Sequence, residues 1–169
     1  FTSLGFDRFE EKILATEERD FDHLNFAPDH PARESMDTFW ITEGFQNKST
    51  KEKWCVRPHL TGMSVEYMKT HKPPFRVIYP GPAFRNEATD ATHEMQFFQI
   101  DGSMLGTVED GVSLANMKAV LTQFYKKMLG DDIEIEFRPS FFPFTEPSIE
   151  VFAKFKGKWL EMMGGGMTN

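Results

Sequence analysis

Pro80–Gly102 reads PGPAFRNEATDATHEMQFFQIDG, and its organisation decides the fold. An apolar, β-branched run, Phe75–Tyr79, leads into Pro80-Gly81-Pro82, where the strand is expected to break because proline removes a ladder donor. Phe84-Arg85-Asn86-Glu87 follows, then a polar loop, and His93-Glu94-Met95-Gln96-Phe97 opens a return strand over Glu94–Asp101. Alternation puts Met95, Phe97 and Gln99 on one side of that strand. Arg85 carries a permanent charge on a planar fork of donors, the group that grips phosphate oxygens bidentately. Glu87 shares a face with Arg85, and His93 shares one with Phe97, so a donor for phosphate would stand beside a ring on which a purine can stack. Each residue has an ordinary alternative. Arg85 and Glu87 would make a surface ion pair worth ~0–1 kcal/mol, His93 a solvated loop histidine, Phe97 a core residue. Ordered across one strand–loop–strand, the four are far more specific than any alone.

Outward from this unit, the pattern alternates between sheet and helix. Asp132–Arg138 places Ile133, Ile135 and Phe137 one way and Glu134, Glu136 and Arg138 the other. Glu150–Lys156 and Lys158–Met163 flank Lys156-Gly157-Lys158, a hairpin signal. Ser113–Leu129 is the clearest helix. Leu114, Met117, Leu121, Phe124 and Met128 recur at spacings of three and four, Ser113 suits its cap, and Gly130 suits the position after its end. Thr61–Thr70 is a shorter helix ended by Lys72-Pro73-Pro74, and the charged Glu10–Leu24 segment is expected to form a surface helix. Gly44–Lys53 reads as a polar surface loop. Short strands joined by tight turns, with few helices, give an α+β class: an antiparallel sheet with flanking helices.

Composition narrows the function classes. The 169 residues suffice for one globular domain, 1–169, and are few for two. A formal charge of −7 argues against a simple basic clamp on nucleic acid. No apolar run nears the ~20 residues of a membrane span, and no basic segment with a small-residue cleavage site opens the chain. The single cysteine, Cys55, excludes an intramolecular disulfide and a Cys-built zinc site, which makes the reducing cytoplasm the expected location.

Two further blocks can carry chemistry. In Phe137–Glu150 (FRPSFFPFTEPSIE), Phe142 and Phe144 flank Pro143 and project to the same side. Such a pair walls a pocket for a third ring at ~0.5–1.5 kcal/mol per ring pair beyond area burial, although ordinary core packing is the commoner use. Pro143 and Pro147 oppose regular central pairing there. In Lys158–Met167 (KWLEMMGGGM), Gly164, Gly165 and Gly166 let something approach the backbone closely, unless they form a plain flexible turn. Glu87, Asp101, Glu146 and Glu161 lie next to these blocks, and one or two of them would complete an oxygen cage for Mg²⁺.

FRNEATDATHEMQFFQIDG, RPSFFPFTEPS and KWLEMMGGGM together closely resemble the α subunits of bacterial-type phenylalanyl-tRNA synthetases, and Asp29–Trp40 (DHPARESMDTFW) is similar to the same family. F-R-x-E, a loop and H-x-x-x-F form the broader motif 2 of class II aminoacyl-tRNA synthetases. The resemblance implies a class II catalytic fold and the ATP-dependent activation of phenylalanine, followed by its transfer to tRNA(Phe). By that resemblance Arg85 would hold the α-phosphate, His93 would reach the γ-phosphate, Phe97 would stack on adenine, and Glu87 would meet adenine or the tRNA end. His59, Thr61, Gln99 and Asp101 would surround the polar end of the amino acid, with Trp40 near it. Phe142 and Phe144 would clasp the phenyl ring, Gly164–Gly166 would floor its pocket, and Glu146 would bind Mg²⁺. A synthetase β subunit, in a heterotetramer, is the partner the family implies.

There are departures from the family pattern. Thr61 stands for the usual serine, Ser64 for glutamine, Asp101 for glutamate and Pro82 for arginine. The start of motif 1 and all of motif 3 are missing from residues 1–169, so this stretch alone is expected not to charge tRNA. The alternative is a synthetase-like relative that binds amino acid or adenylate without charging tRNA.

Overall fold

The computed structural model describes residues 1–10, 12–33, 38–41, 53–86 and 94–168. In chain order it contains β1 (Asp7–Arg8), β2 (Leu14–Thr16), α1 (Glu17–Asp20), β3 (Trp54–Val56), α2 (Gly62–Thr70), β4 (Phe75–Phe84) and β5 (Gln96–Leu105). There follow α3 (Leu114–Leu129), β6 (Ile135–Phe142), β7 (Thr145–Phe155) and β8 (Lys158–Thr168). Two compact units result, Phe1–Leu105 and Gly106–Asn169. No helix among the described residues is long and apolar enough to cross a membrane.

In the first unit β4 lies between β5, antiparallel along its whole length, and β1, parallel at two residues. The expected break at Pro80-Gly81-Pro82 is absent, and β4 runs unbroken to Phe84. Peptide direction explains this. The Arg85 N–H reaches Met95 O at 2.9 Å, so odd positions of β4 bond to β5. Pro80 and Pro82 are even and turn their nitrogens away from that ladder, so neither costs it a bond. Odd side chains Phe75, Val77 and Tyr79 enter the core with Leu60, Met63 and Tyr67 of the α2 region. Helix α2 matches its expected span, with Thr61 at the cap position.

The surface helix expected over Glu10–Leu24 is not formed. Leu14–Thr16 instead pairs with Trp54–Val56, and only Glu17–Asp20 is helical, capped by Thr16 Oγ1 accepting from Arg19 N–H at 3.2 Å. The charges misled because two of them are internal. Asp20 is fully buried and takes Arg19 Nε at 2.8 Å, while Phe21 packs with Ala15 and Cys55. The proposed Gly44–Lys53 loop lies outside the described residues apart from Lys53.

In the second unit α3 has the expected bounds, with Ser113 Oγ accepting from Asn116 N–H at 3.1 Å. Met117, Leu121, Phe124 and Tyr125 cluster with Val151, Ile135, Phe137 and Met163 of the sheet. Met128, expected on this face, is exposed, and Tyr125 takes the buried place. The sheet order is β6-β7-β8, antiparallel throughout. Lys156 and Gly157 make the β7–β8 turn at φ 49° and 80°, the left-handed pair that a two-residue hairpin needs. β6 begins at Ile135 and extends past Arg138 through Pro139. Glu134 O accepts from Lys154 N–H, so Pro139 faces outward on an edge strand. Register slips beside Pro147, between Thr145 and Ser148.

Candidate functional site

In the first unit, register fixes which side chains share a face. Tyr79 opposes Asp101, Gly81 opposes Gln99 and Ala83 opposes Phe97. Phe97, Gln99 and Asp101 are therefore half-buried on the side of α2, while Gln96, Phe98 and Ile100 stand exposed on the other. Thr61 Oγ1 donates to Asp101 Oδ2 at 2.6 Å, and Asp101 Oδ1 accepts from Gly102 N–H at 2.7 Å. The substitutions Thr61 and Asp101 thus meet each other. Ser64 is buried with its hydroxyl on Thr61 O at 2.6 Å, and Pro82 O accepts from Arg57 Nε at 2.8 Å.

Arg85 sits just past the end of β4. Its Nε donates to Pro58 O at 3.2 Å, and its guanidinium lies 5.1 Å from the centre of the Phe97 ring. A cation therefore does stand beside the ring, and it is Arg85. His93 and Glu87 lie outside the described residues.

His59 packs almost parallel on Phe26, with centroids at 6.1 Å, and edge-on to Phe21 at 6.0 Å. Burial pushes its imidazole below the usual histidine range, against the opposing pull of Asp20 and Asp101, so the ring is neutral at pH 7. Both ring nitrogens and Gln99 Oε1 are buried without a hydrogen-bond partner among the described residues. Buried polar atoms left unpaired are costly in a native interior, so these atoms offer hydrogen-bonding capacity to a polar group brought against them.

Trp40 is one layer behind. It stacks on Phe21 at 5.7 Å and gives its indole N–H to Arg33 O at 3.0 Å, so it supports the wall that His59 leans on. Sequence reasoning missed two arginines. Arg33 donates to Asp22 and Phe26 O at 2.7 Å and lies over Phe21, holding that aromatic wall. Arg57 is almost wholly buried. Nothing in the pattern marks either, since a buried arginine reads like any surface one. Cys55 is enclosed, and burial pushes its thiol up to about 12, which leaves no nucleophile there at neutral pH.

The second unit carries the aromatic pair. Phe142 ends β6, Pro143-Phe144 form the turn, and the two rings lie 6.1 Å apart at 26°. Buried hydroxyls hold this turn: Phe142 N–H donates to Ser148 Oγ at 3.2 Å, and Ser148 Oγ donates to Thr145 O at 2.7 Å. They sit at the register shift between Ser140 and Phe142. The three glycines form part of β8 rather than a flexible turn. A Cβ on Gly164 would overlap the Phe142 ring, and one on Gly166 would overlap Pro147 O, so close approach is indeed their use. Glu146 is exposed on β7. Among the described residues no three His, Cys, Asp or Glu side chains converge on a point.

With this geometry established, comparison with known proteins places the chain. Residues 1–169 match the model of the tRNA synthetases class II core domain (F). The phenylalanine–tRNA ligase α subunit of Chlorobium phaeobacteroides is 40% identical over all of this chain and 51% of its own length. That of Synechocystis is 37% identical over all of this chain and 47% of its own. The chain thus spans about half the length of the curated relatives it matches. The crystal structure of pyrrolysyl-tRNA synthetase from Desulfitobacterium hafniense shares the fold, with a TM-score of 0.65 at 21% identity over 98% of this chain and 54% of that one. The chain belongs to the class II tRNA synthetase core domain family.

Proposed function

We propose that the chain activates phenylalanine with ATP and passes it to tRNA(Phe), as the catalytic core of a synthetase α subunit. The observation that carries this reading is the shared face of β4–β5. There a fixed cation on an aromatic ring, Arg85 on Phe97, adjoins the Thr61–Asp101 pair and the unfilled polar atoms of His59 and Gln99.

Arg85 holds the α-phosphate and offsets the charge that develops as the amino-acid carboxylate attacks phosphorus and pyrophosphate leaves. Activation of this kind asks for alignment and charge stabilisation rather than covalent help. Phe97 offers adenine a ring face. Asp101, kept in place by Thr61, takes the substrate ammonium, and Gln99 and neutral His59 complete its polar surroundings. Phe142 and Phe144 clasp the phenyl ring, with Gly164–Gly166 below. Glu87 and His93 keep the roles expected from motif 2, and Trp40 supports the polar end from behind. Mg²⁺ is a hard ion that commonly takes one or two carboxylates plus substrate phosphates, and the exposed Glu146 suits that mode. When bound, the ion neutralises phosphate charge. A β subunit, implied by the subunit name of the relatives, is the expected partner, and the cytoplasm the expected site of action.

Amino-acid-dependent exchange of pyrophosphate into ATP by the complete protein tests this. Phenylalanine should support exchange and leucine should not, and tRNA(Phe) should then be charged. No exchange with phenylalanine, beside exchange with another amino acid, would overturn the substrate. No exchange with any would leave the binding-only relative.

A further inference from the structure

We propose that Arg57 is a positioning residue that aims Arg85, and that Pro80-Gly81-Pro82 is the berth for its side chain. The inference rests on the reading of Arg85 given under Proposed function. β1 covers only Val77 and Ile78 of β4, with Phe9 N–H reaching Ile78 O, so among the described residues no strand pairs with the later half of that edge. Two groups on the uncovered edge are taken by one residue. Phe84 N–H donates to Arg57 O at 3.0 Å, and Pro82 O accepts from Arg57 Nε at 2.8 Å.

The two prolines present no N–H to compete there, and Gly81 leaves the space the guanidinium fills: a Cβ at Gly81 would lie 2.5 Å from Arg57 Nη2. Arg57 is itself fixed, since its N–H donates to Ile13 O at 3.0 Å and its Nη1 meets Met63 Sδ at 3.5 Å. It is 3% exposed, too deep to reach a substrate directly. Its neighbour Pro58 then accepts Arg85 Nε at 3.2 Å. Arg57-Pro58 thus grips the chain at Pro82, Phe84 and Arg85 in succession, and the direction of the Arg85 guanidinium follows from that grip. Lysine cannot reproduce a fork that bonds sideways through Nε while its tip lies over a glycine.

The test measures phenylalanine-dependent pyrophosphate exchange in the complete protein, normalised to titrated active sites, for Gly81→Ala, Arg57→Lys, Arg85→Ala and Gly81→Ala/Arg85→Ala. Gly81→Ala should displace the guanidinium and lower kcat about tenfold, with KM for ATP and phenylalanine within about threefold, while thermal unfolding reports separately the stability lost with the displaced guanidinium. Arg57→Lys should do the same, and thermal unfolding reports whether it folds. In the Arg85→Ala background Gly81→Ala should add nothing, because nothing remains to be aimed. Parental kcat in Gly81→Ala, or a full tenfold loss added on top of Arg85→Ala, would overturn the role of Arg57 alone. Parental kcat in Arg85→Ala would instead remove the assignment of Arg85 and, with it, any task for Arg57.

Discussion

The β4–β5 region and the β6–β7–β8 sheet solve opposite problems. Around β4–β5 the side chains that matter are held by partners far away in sequence: Thr61 meets Asp101 forty residues on, and Arg85 meets Pro58 twenty-seven residues back. In the other sheet the hydrogen bonds that hold the aromatic turn are local, with Phe142 held by Ser148 six residues away and Ser148 by Thr145 three away. A cation meant for a ligand must be fixed through neutral carbonyls and rings, and the chain has to bring those from elsewhere. A ring meant as a wall needs only a tight turn and a gap in the facing strand. Polar aim is assembled by the tertiary fold, and aromatic shape by the hairpin.

Loss of a charge aimed at the reacting phosphate breaks that comparison most sharply. Arg85→Ala should lower the rate of activation about a hundredfold, ~3 kcal/mol, mainly in kcat. Pyrophosphate-exchange kinetics check it, and an unchanged maximal rate would show that the distant contacts serve stability only.

Gly164→Ala asks whether the gap in β8 is needed. The new methyl meets the Phe142 ring, and overpacking should cost about 2 kcal/mol by denaturant unfolding. Phe142→Leu in the same chain should recover most of that loss. Recovery would show that the ring alone occupies the gap.

Thr61→Val removes the hydroxyl from Asp101 at nearly constant shape. It should cost about 1.5 kcal/mol, the range for a hydrogen bond to a charged group, and raise KM for the amino acid while leaving KM for ATP unchanged.

His59 gives a pH-dependent effect with a clear sign. Its folded pKa lies below the unfolded value of ~6.5, so below that pH the unfolded chain binds a proton that the folded chain resists. Stability is then at its full value above about pH 6.5 and declines as pH falls, by at most ~1.4 kcal/mol per pH unit, until the folded group also protonates. His59→Phe should flatten that slope in unfolding curves measured from pH 7 to 5. An unchanged slope would place the titration elsewhere.

How much of this was legible in the residues follows the same division. The local features were readable: α3 from its three–four spacing and Ser113 cap, β6 from its alternation, the β7–β8 turn from Lys156-Gly157, and the paired direction of Phe142 and Phe144 from the intervening proline. The non-local ones were not. Pro80 and Pro82 look like a strand break until it is known which edge of β4 is paired. Glu10–Leu24 looks like a solvated helix until Asp20 is seen to be buried under Arg19. Arg57 carried no signal, because burial of a guanidinium is decided by the strand it lies against. Arg85 and Phe97 stood out through residue chemistry, whereas Thr61 and His59 were reached only through resemblance to a family, and Asp101 stood out only as a carboxylate for Mg²⁺.

The most direct test compares Arg85→Ala and Phe144→Ala in one assay, the exchange of pyrophosphate into ATP with phenylalanine, tyrosine and a para-substituted phenylalanine. Arg85→Ala should depress all three rates in the same proportion. Phe144→Ala should raise KM for phenylalanine and shift preference toward the bulkier rings, with KM for ATP unchanged, because an apolar wall selects by shape and resists an added hydroxyl by only ~10². If Phe144→Ala leaves the preference among the three as in the parent, or Arg85→Ala changes it, then the charge-handling and ring-reading roles do not divide between these two regions, and the central claim is wrong.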